Sequence, residues 1–141
     1  NEKATNETIK DGWLYTGDNG YMDEEGYIYF FDRKKDMIKQ AGENISATEV
    51  ERIIMTHPKV AEVAIIGVRD PIRDEVAKAF IITKPNQQIS QDELKKWCEQ
   101  NMAKFKVPHY FEFIDEFPRT SIGKIEKKIL RKQEEEAYYQ K

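Results

Sequence analysis

The stretch PRTSIGKIEKK, residues 118–128, places Lys124 behind a run of small and turn-forming residues. A lysine ammonium is a compact charge with three hydrogen-bond donors, so Lys124 is either a cationic reagent or one hydrated surface charge among many. Gly-Lys pairs are common, and a lysine near a chain end is usually hydrated. This stretch alone leaves both interpretations open.

Basic residues also concentrate at 33–39 (RKKDMIK) and 124–132 (KIEKKILRK). The whole chain nevertheless has 26 acidic and 23 basic residues, a net charge of −3, which argues against a general nucleic-acid interface. Any bound anion is therefore expected to be small and local. His57 and His109 lack the spacing and company of metal ligands, so the sequence predicts no metal site and favours packing or surface roles for them.

Composition indicates a soluble globular protein of ordinary domain size. The 141 residues are 39% hydrophobic and 35% charged, and no apolar run approaches the roughly 20 residues of a membrane helix. Cys98 is the only cysteine, which excludes an internal disulfide, and residues 1–10 show no apolar signal core. The expected location is cytoplasmic, without membrane attachment.

The N-terminal quarter predicts a polar loop over residues 1–10 and then strands punctuated by glycine turns. Residues 23–26 predict a hairpin loop in which Gly26 adopts a positive φ. We call residues 11–31 the arm. It displays more aromatic surface than an appendage needs, so we expect a partner to cover it. Its aromatic residues include Trp13, Tyr15, Tyr27, Tyr29, Phe30 and Phe31.

Two helices follow from capping boxes and apolar periodicity. Ser46 and Glu49 predict the start of a helix over 47–56, which Pro58 stops. Ser90 and Glu93 repeat the box and predict a helix over 91–102. Its apolar face makes Cys98 a core residue.

The β-branched runs at 60–68 and 76–83 predict two buried, paired strands joined by a charged loop over 69–75. Residues 110–117 alternate well enough for a third strand, and a short terminal helix precedes the polar tail EEEAYYQK. The predicted fold class is α+β: helices packed on a short β-sheet, preceded by a β-hairpin arm.

Three ordered motifs resemble those of a known family: WLYTGD at 13–18, DRKKDMIKQAGENISATEVE at 32–51 and PRTSIGKI at 118–125. They resemble the last three core motifs of the acyl-adenylate-forming, or AMP-binding, superfamily. Acyl-CoA synthetases, adenylation domains of peptide synthetases and firefly luciferase belong to it. The resemblance covers residues 11–130, and WCEQNMAKFKVPHYFEF and VRDPIRDEVAKAF are most similar to crotonobetaine/carnitine-CoA ligases.

Members of this superfamily are several hundred residues long, so the resemblance implies that the chain is a C-terminal part. It implies that residues 1–33 are the last β segment of an N-terminal AMP-binding domain and that 34–36 are a hinge. Residues 37–131 would form the mobile C-terminal domain, and 132–141 a polar tail. The acyl pocket would lie in the N-terminal domain, which is the expected partner.

The resemblance implies an acid–thiol ligase that forms an acyl-adenylate from a small carboxylic acid and ATP with magnesium, then transfers the acyl group to CoA. No tightly bound cofactor is expected in this chain. Lys124 matches the adenylation lysine, which stabilises charge developing at phosphorus, on a flexible turn over 121–123. Asp18 matches the ribose-binding aspartate, Arg33 an arginine near the ribose or phosphate, and Tyr15 a neighbour of the nucleotide.

Lys35 matches the hinge position, where many members carry aspartate. Rotation there would withdraw Lys124 and bring a second set of residues toward CoA. Gly42 would let the backbone approach the pantetheine arm, in an Ala-Gly pair where many CoA ligases have two glycines. The CoA-facing candidates are Lys39, Ala41, Gly42, Glu43, Arg69, Arg73, Phe105 and Lys106.

Other function classes stay open. The chain could be a stand-alone module that binds a partner protein through the arm, or part of a ligase that serves a carrier protein instead of CoA. Nucleic-acid binding through residues 124–132 is disfavoured by the net acidity. Alone, the chain is expected to lack ligase activity and to self-associate through the arm. The acid itself cannot be read from these residues.

Overall fold

The computed structural model describes residues 2–11 and 13–140, without the side chains of Glu2, Ala4 and Phe31. Gly12 and the Phe31 side chain, both part of the predicted arm, therefore lie outside the described residues. The chain divides into two compact units, Asn1–Lys35 and Asp36–Lys141. No helix among the described residues is long and apolar enough to cross a membrane. The finer domain boundaries given above stay predictions.

The first unit contains one short helix and two small antiparallel sheets. Its elements are α1 (Glu2–Thr8), β1 (Ile9–Lys10) paired with β2 (Trp13–Leu14), and β3 (Asp18–Met22) paired with β4 (Ile28–Arg33). The prediction of a loop over residues 1–10 is therefore wrong. Alanine, glutamate and lysine in EKATNET favour a helix, although the stretch is as polar as a loop.

The hairpin loop over residues 23–26 is confirmed. The Asp23 carboxylate accepts the N–H groups of Glu25 and Tyr27 at 3.0 Å each, and Gly26 has φ 87°. Six aromatic side chains of the arm are 44–74% exposed: Trp13, Tyr15, Tyr21, Tyr27, Tyr29 and Phe30.

The second unit is built on a five-stranded sheet. Its strands are β5 (Met37–Gln40), β6 (Glu43–Ser46), β7 (Val60–Asp70), β8 (Asp74–Thr83) and β9 (Tyr110–Phe113). The order is β6-β5-β8-β7, with β9 parallel to β8. The predicted pairing of the two apolar runs is confirmed, as β7 with β8. Both strands extend into the predicted loop over 69–75, so that only residues 71–73 join them.

Helices cover both faces of this sheet: α2 (Ala47–Met55), α3 (Gln91–Asn101) and α4 (Lys127–Tyr139). One buried cluster joins alternate residues of β7 and β8 to α2 and α3, through Val63, Ile65, Ala79, Val50 and Leu94. The intervening residues join α4 in a second cluster, through Ala64, Ile66, Phe80 and Leu130. Burial on both faces explains why these strands read as continuous apolar runs. The α+β class is confirmed.

The serine N-caps of both predicted helices and the predicted core cysteine are confirmed. The Ser46 hydroxyl accepts the Glu49 N–H at 3.2 Å, and the Ser90 hydroxyl accepts the Glu93 N–H at 3.1 Å. Cys98 is fully buried, and burial raises the pKa of its thiol to about 12. The thiol therefore stays neutral within the apolar core.

Two predicted ends are wrong. The strand predicted over 110–117 ends at Phe113, because its pairing with β8 reaches Ile81 and β8 itself ends two residues later. The terminal helix does not end before EEEAYYQK but continues to Tyr139.

The continuation of α4 follows from charge pairing with the sheet. Glu134 accepts a hydrogen bond from the Lys78 ammonium at 2.6 Å, and Glu135 lies 3.5 Å from the Arg69 guanidinium. Arg69 also lies 5.5 Å from the centroid of the Tyr139 ring. The acidic tail is therefore a packed helix end.

His57 packs just after the end of α2. Packing was one of the two roles predicted for it, the other being a surface position. It is 4% exposed, and its ring meets Trp97 edge-on at 4.8 Å between centroids. Its Nδ1 accepts the Lys59 N–H at 3.1 Å, which fixes that nitrogen as unprotonated.

We expect the 141-residue chain to self-associate through the arm, because its exposed aromatic rings and short sheets leave apolar surface and strand edges uncovered. Exchange of the hairpin between two chains is one route. A chain beginning at Asp36 should stay monomeric and folded, since both buried clusters lie after that residue. Light scattering on both chains tests this. A monomeric longer chain, or equal association by both, would contradict it.

Stability should fall as His57 is protonated. Burial lowers the pKa of His57 below its ordinary 6.5, so the unfolded chain takes up this proton at higher pH than the folded chain. The stabilisation is complete above pH 6.5 and is lost as pH falls below it. We expect the stability advantage over His57→Asn, which retains an acceptor, to shrink between pH 7 and 5 in urea denaturation. An advantage that is constant across these pH values would contradict a buried neutral histidine.

Candidate functional site

Lys124 closes a compact turn over residues 120–124, here called the lysine turn. The Thr120 N–H donates to the Lys124 carbonyl at 2.8 Å, and the Gly123 N–H donates to the Thr120 carbonyl at 2.9 Å. The Lys124 N–H donates to the Thr120 hydroxyl at 3.2 Å, and Gly123 has φ 85°. These hydrogen bonds and the positive φ of Gly123 form the turn expected over residues 121–123.

Ion pairs attach the residues on both sides of the lysine turn to the rest of the unit. Before it, Arg119 pairs with Glu62 of β7 at 2.5 Å. After it, Lys127 pairs with Glu51 of α2 at 2.6 Å. Lys124 itself forms no ion pair with any residue that the structure describes, and its side chain is exposed. Sequence reasoning missed these partners, because nothing in the local pattern reveals them.

The glycine turn, residues 41–42, joins β5 to β6 in a hairpin that the sequence analysis missed. Both residues are left-handed, Ala41 with φ 49° and Gly42 with φ 87°, as a two-residue hairpin turn requires. The missed signal was an Ala-Gly pair between two short alternating runs. Ile38 and Ile45 face each other in the core, while Lys39 pairs with Asn44 outside.

The structure brings several CoA-facing candidates to the glycine turn. The Ala41 N–H donates to the Arg73 carbonyl at 3.1 Å, and the Gln40 side-chain amide donates to the Phe105 carbonyl at 3.1 Å. Glu43 pairs with Gln40 across the hairpin and is exposed. The backbones of Arg73 and Phe105 are therefore held beside the turn.

Three of the basic candidates lie near carboxylates, and Arg73 Nη1 is 3.9 Å from Asp70 Oδ1. Both oxygens of the Glu49 carboxylate accept hydrogen bonds from the Lys106 ammonium, at 2.8 and 3.0 Å. Arg69 contacts α4 through Glu135 and Tyr139.

Arg69 also shares a cavity of about 490 Å³ with Lys39. Three carboxylates, those of Asp70, Asp74 and Glu75, line the same cavity. Its acidic groups outnumber its basic ones, so this cavity is a poor place for a phosphate.

The lysine turn and the glycine turn lie near opposite ends of the β7–β8 pair. Arg119 attaches the first to Glu62, which pairs with Ile82 near one end. Arg73, at the other end, holds the second. From Glu62 to Asp70 the strand spans about 26 Å at roughly 3.3 Å per residue. The two turns therefore cannot serve one reacting atom at the same time.

The first unit places two nucleotide-binding candidates together. Asp18 and Arg33 are partners across the β3–β4 ladder, with Arg33 Nε 3.4 Å from Asp18 Oδ1. Tyr15 is 59% exposed and precedes them in the chain. An open concave surface beside them encloses a volume of about 360 Å³. It is lined by Thr16, Gly17, Arg33, Lys34 and Lys35. The predicted hinge residue Lys35 thus belongs to this surface.

Within the described residues, no three His, Cys, Asp or Glu side chains form a group that could hold a metal ion.

Comparison with known proteins gives consistent matches. The family profile described as the AMP-binding enzyme C-terminal domain matches residues 49–124. The chain is 51% identical over 132 residues to crotonobetaine/carnitine–CoA ligase of Escherichia coli O157:H7 (strain EC4115 / EHEC), covering 93% of this chain and 26% of that protein.

Solved structures agree. ATP-bound MatB from Rhodopseudomonas palustris is similar with a TM-score of 0.82 and 33% identity, over 94% of this chain and 26% of that one. The o-succinylbenzoate CoA synthetase (MenE) from Bacillus subtilis, in complex with the acyl-adenylate intermediate OSB-AMP, is similar with a TM-score of 0.80 and 38% identity. This match also covers 94% of this chain and 26% of that one. The chain spans about a quarter of the length of these relatives.

Replacing Gly42 should strain the backbone without a clash, because a Cβ there would meet no atom within 4 Å. We expect Gly42→Ala to lower the free energy of unfolding by about 1 kcal/mol, measured by urea denaturation. In the matched Ala41→Gly variant, relief of strain is offset by extra freedom of the unfolded chain, so the change should stay within about 0.5 kcal/mol. A Gly42→Ala chain as stable as the wild type would show that the turn does not need this conformation.

Proposed function

Because this chain belongs to the AMP-binding enzyme C-terminal domain family, we propose that it acts as the C-terminal part of an ATP-dependent acid–CoA ligase. The superfamily predicted from the three motifs is confirmed, and so is the similarity to crotonobetaine/carnitine-CoA ligases. Activity, substrates and partners concern a longer protein, because the chain covers 26% of that relative.

The separation of the two turns carries this proposal. One compact unit presents Lys124, which forms no ion pair with a described residue, at one end of the β7–β8 pair. It presents the open glycine turn at the other end. A ligase that runs two successive half-reactions at one centre needs one set of groups for the first step and another set for the second. Rotation of the unit about Lys35 would replace the lysine turn by the glycine turn at that centre.

In the first half-reaction, a carboxylate oxygen of the acid attacks the α-phosphorus of ATP. A new P–O bond forms, and pyrophosphate leaves with the electron pair of the bond that breaks. The Lys124 ammonium would stabilise the charge shared between the carboxylate and phosphate oxygens. It breaks no ion pair with a described residue on entering the site. Asp18 would accept hydrogen bonds from the ribose hydroxyls, with Arg33 and Tyr15 beside the nucleotide.

In the second half-reaction, the CoA sulfur attacks the acyl carbonyl carbon and AMP leaves with the electron pair of the C–O bond. Gly42 would let the pantetheine arm pass close to the backbone, since it has no side chain. Arg73 and Phe105, 43% and 41% exposed, would offer a charge and a ring to the CoA nucleotide. Lys106 is held by Glu49 at 2.8 Å, whereas Arg73 lies 3.9 Å from Asp70, so Arg73 has the looser carboxylate contact and is the better phosphate partner.

The proposed partner is an N-terminal domain that holds the acid and most of the ATP, with magnesium brought by the nucleotide. Crotonobetaine and carnitine are the acids to test first, since the relative that is 51% identical is named for them. A cytoplasmic location and inactivity of the chain by itself are parts of the same proposal. A carrier-protein acceptor would show as adenylate formation without transfer to CoA.

In the complete ligase, Lys124→Ala should slow acyl-adenylate formation from crotonobetaine and ATP by about 10²- to 10³-fold, because it removes a donor to the developing charge. Thioester formation from supplied acyl-adenylate and CoA should be spared, since Lys124 would be withdrawn in that step. Pyrophosphate release and thioester absorbance measure the two half-reactions separately.

The Gly42→Leu variant should show the opposite pattern in the same two measurements. Its side chain should obstruct the pantetheine and slow the CoA step more than adenylate formation. Equal losses in both half-reactions for both variants would contradict the division of labour between the two turns.

A further inference from the structure

We propose that Arg119 is a positioning residue that fixes the lysine turn on β7, an inference that rests on the proposed role of Lys124. The Arg119 guanidinium reaches two acceptors at once. Nη1 donates to the Gly123 carbonyl at 3.1 Å, and Nη2 donates to Glu62 Oε2 at 2.5 Å. The Gly123 carbonyl belongs to the peptide bond that leads into Lys124. Arg119 therefore joins that peptide directly to a strand of the sheet.

The hydrogen bonds inside the lysine turn set its shape but not its direction. All three link Thr120 to Gly123 or Lys124. The bond from the Glu126 N–H to the Pro118 carbonyl closes the base of the turn at 2.8 Å. With these bonds alone, the turn could tilt as a body over the sheet. Phe117 and Ile125 pack in the second buried cluster and hold the base of the turn, while Arg119 adds a contact between its tip and the sheet, which opposes such a tilt.

The other side of the turn is fixed deeper in the unit. The Glu51 carboxylate accepts the Ile65 N–H of β7 at 2.8 Å and pairs with Lys127 at 2.6 Å. Burial raises the pKa of Glu51, against the opposing effect of Lys127, so this pair is part of the fold itself. The Arg119–Glu62 pair is more exposed, with side chains 36% and 38% exposed. It can therefore be altered with less risk of unfolding the unit.

The chemistry of the contact requires arginine. A guanidinium presents planar, divergent N–H donors that can hold a carboxylate and a carbonyl together, whereas a lysine ammonium acts as a point charge. Arg119→Lys keeps the charge opposite Glu62 and removes the second contact. Because misplacement of a reacting group by about 1 Å can cost 10²-fold, loss of direction should appear as a rate defect.

In the complete ligase, we expect Arg119→Lys to slow adenylate formation from crotonobetaine and ATP by about 10- to 100-fold. The KM for ATP should change less than about 2-fold, and thioester formation from supplied acyl-adenylate should be unchanged. Arg52→Lys is the matched control, because Arg52 is exposed on α2, and it should leave both steps unchanged. Equal loss in both steps for Arg119→Lys, or no loss in either, would overturn the proposal.

A double-variant cycle tests whether Arg119 acts through Glu62. Glu62→Gln keeps an acceptor oxygen and should slow adenylate formation less than Arg119→Lys does. The double variant should be no slower than Arg119→Lys alone, since residues that act as one unit are not additive. Independent, multiplying losses would overturn the assignment of Glu62.

A measurement on the 141-residue chain separates this proposal from the proposed function. In Arg119→Lys, the backbone order parameters of residues 120–124 should fall from about 0.85 toward 0.6, with an unchanged urea midpoint. Unchanged order parameters would overturn the role of Arg119. If Lys124→Ala left adenylate formation intact, the proposed function would fail instead, and the order parameters would still decide whether Arg119 fixes the turn.

Discussion

The antiparallel pairing of β7 with β8 is the constraint on which the second unit depends. Alternate residues of the two strands enter separate buried clusters, so both faces of the pair must be apolar and covered by helices. Its length also sets the distance between the lysine turn near Glu62 and the glycine turn at Arg73. A shorter pair would place both turns near one point, and one rotation could not exchange them.

Charge pairing shows which basic residues of the stretch 124–132 are structural. In the stretch 124–132, Lys127 pairs with Glu51 and Arg131 pairs with Asp36, the first residue of the second unit. These contacts bind α4 to α2 and to the start of the unit. Lys124, Lys128 and Lys132 of the same run are exposed, and neither Lys124 nor Lys128 forms an ion pair with the described residues. Lys124 differs from Lys128 by its place in the lysine turn, whereas Lys128 lies within α4.

Several predictions failed where packing overrode local character. The tail EEEAYYQK has the composition of a solvated end, yet Lys78 and Arg69 on the sheet draw Glu134 and Glu135 into a longer helix. The hairpin around Ala41 and Gly42 was missed because its strands are short and polar outside. Among the candidates, Arg73 and Phe105 gather at that turn, whereas Lys106 is held by Glu49 and Arg69 by α4.

The sequence by itself determined what depends on neighbouring residues: the two capped helices, the apolar strand pair, the loop with Gly26 and the three motifs that identify the superfamily. Only the tertiary structure decided which charges pair and how far apart the two turns lie. The partners of Arg119 and Arg131 are 57 and 95 positions away along the chain. Caps, turns and motifs depend on residues that are close in the sequence, so they can be recognised from it. Contacts between distant segments exist only once the sheet has brought those segments together.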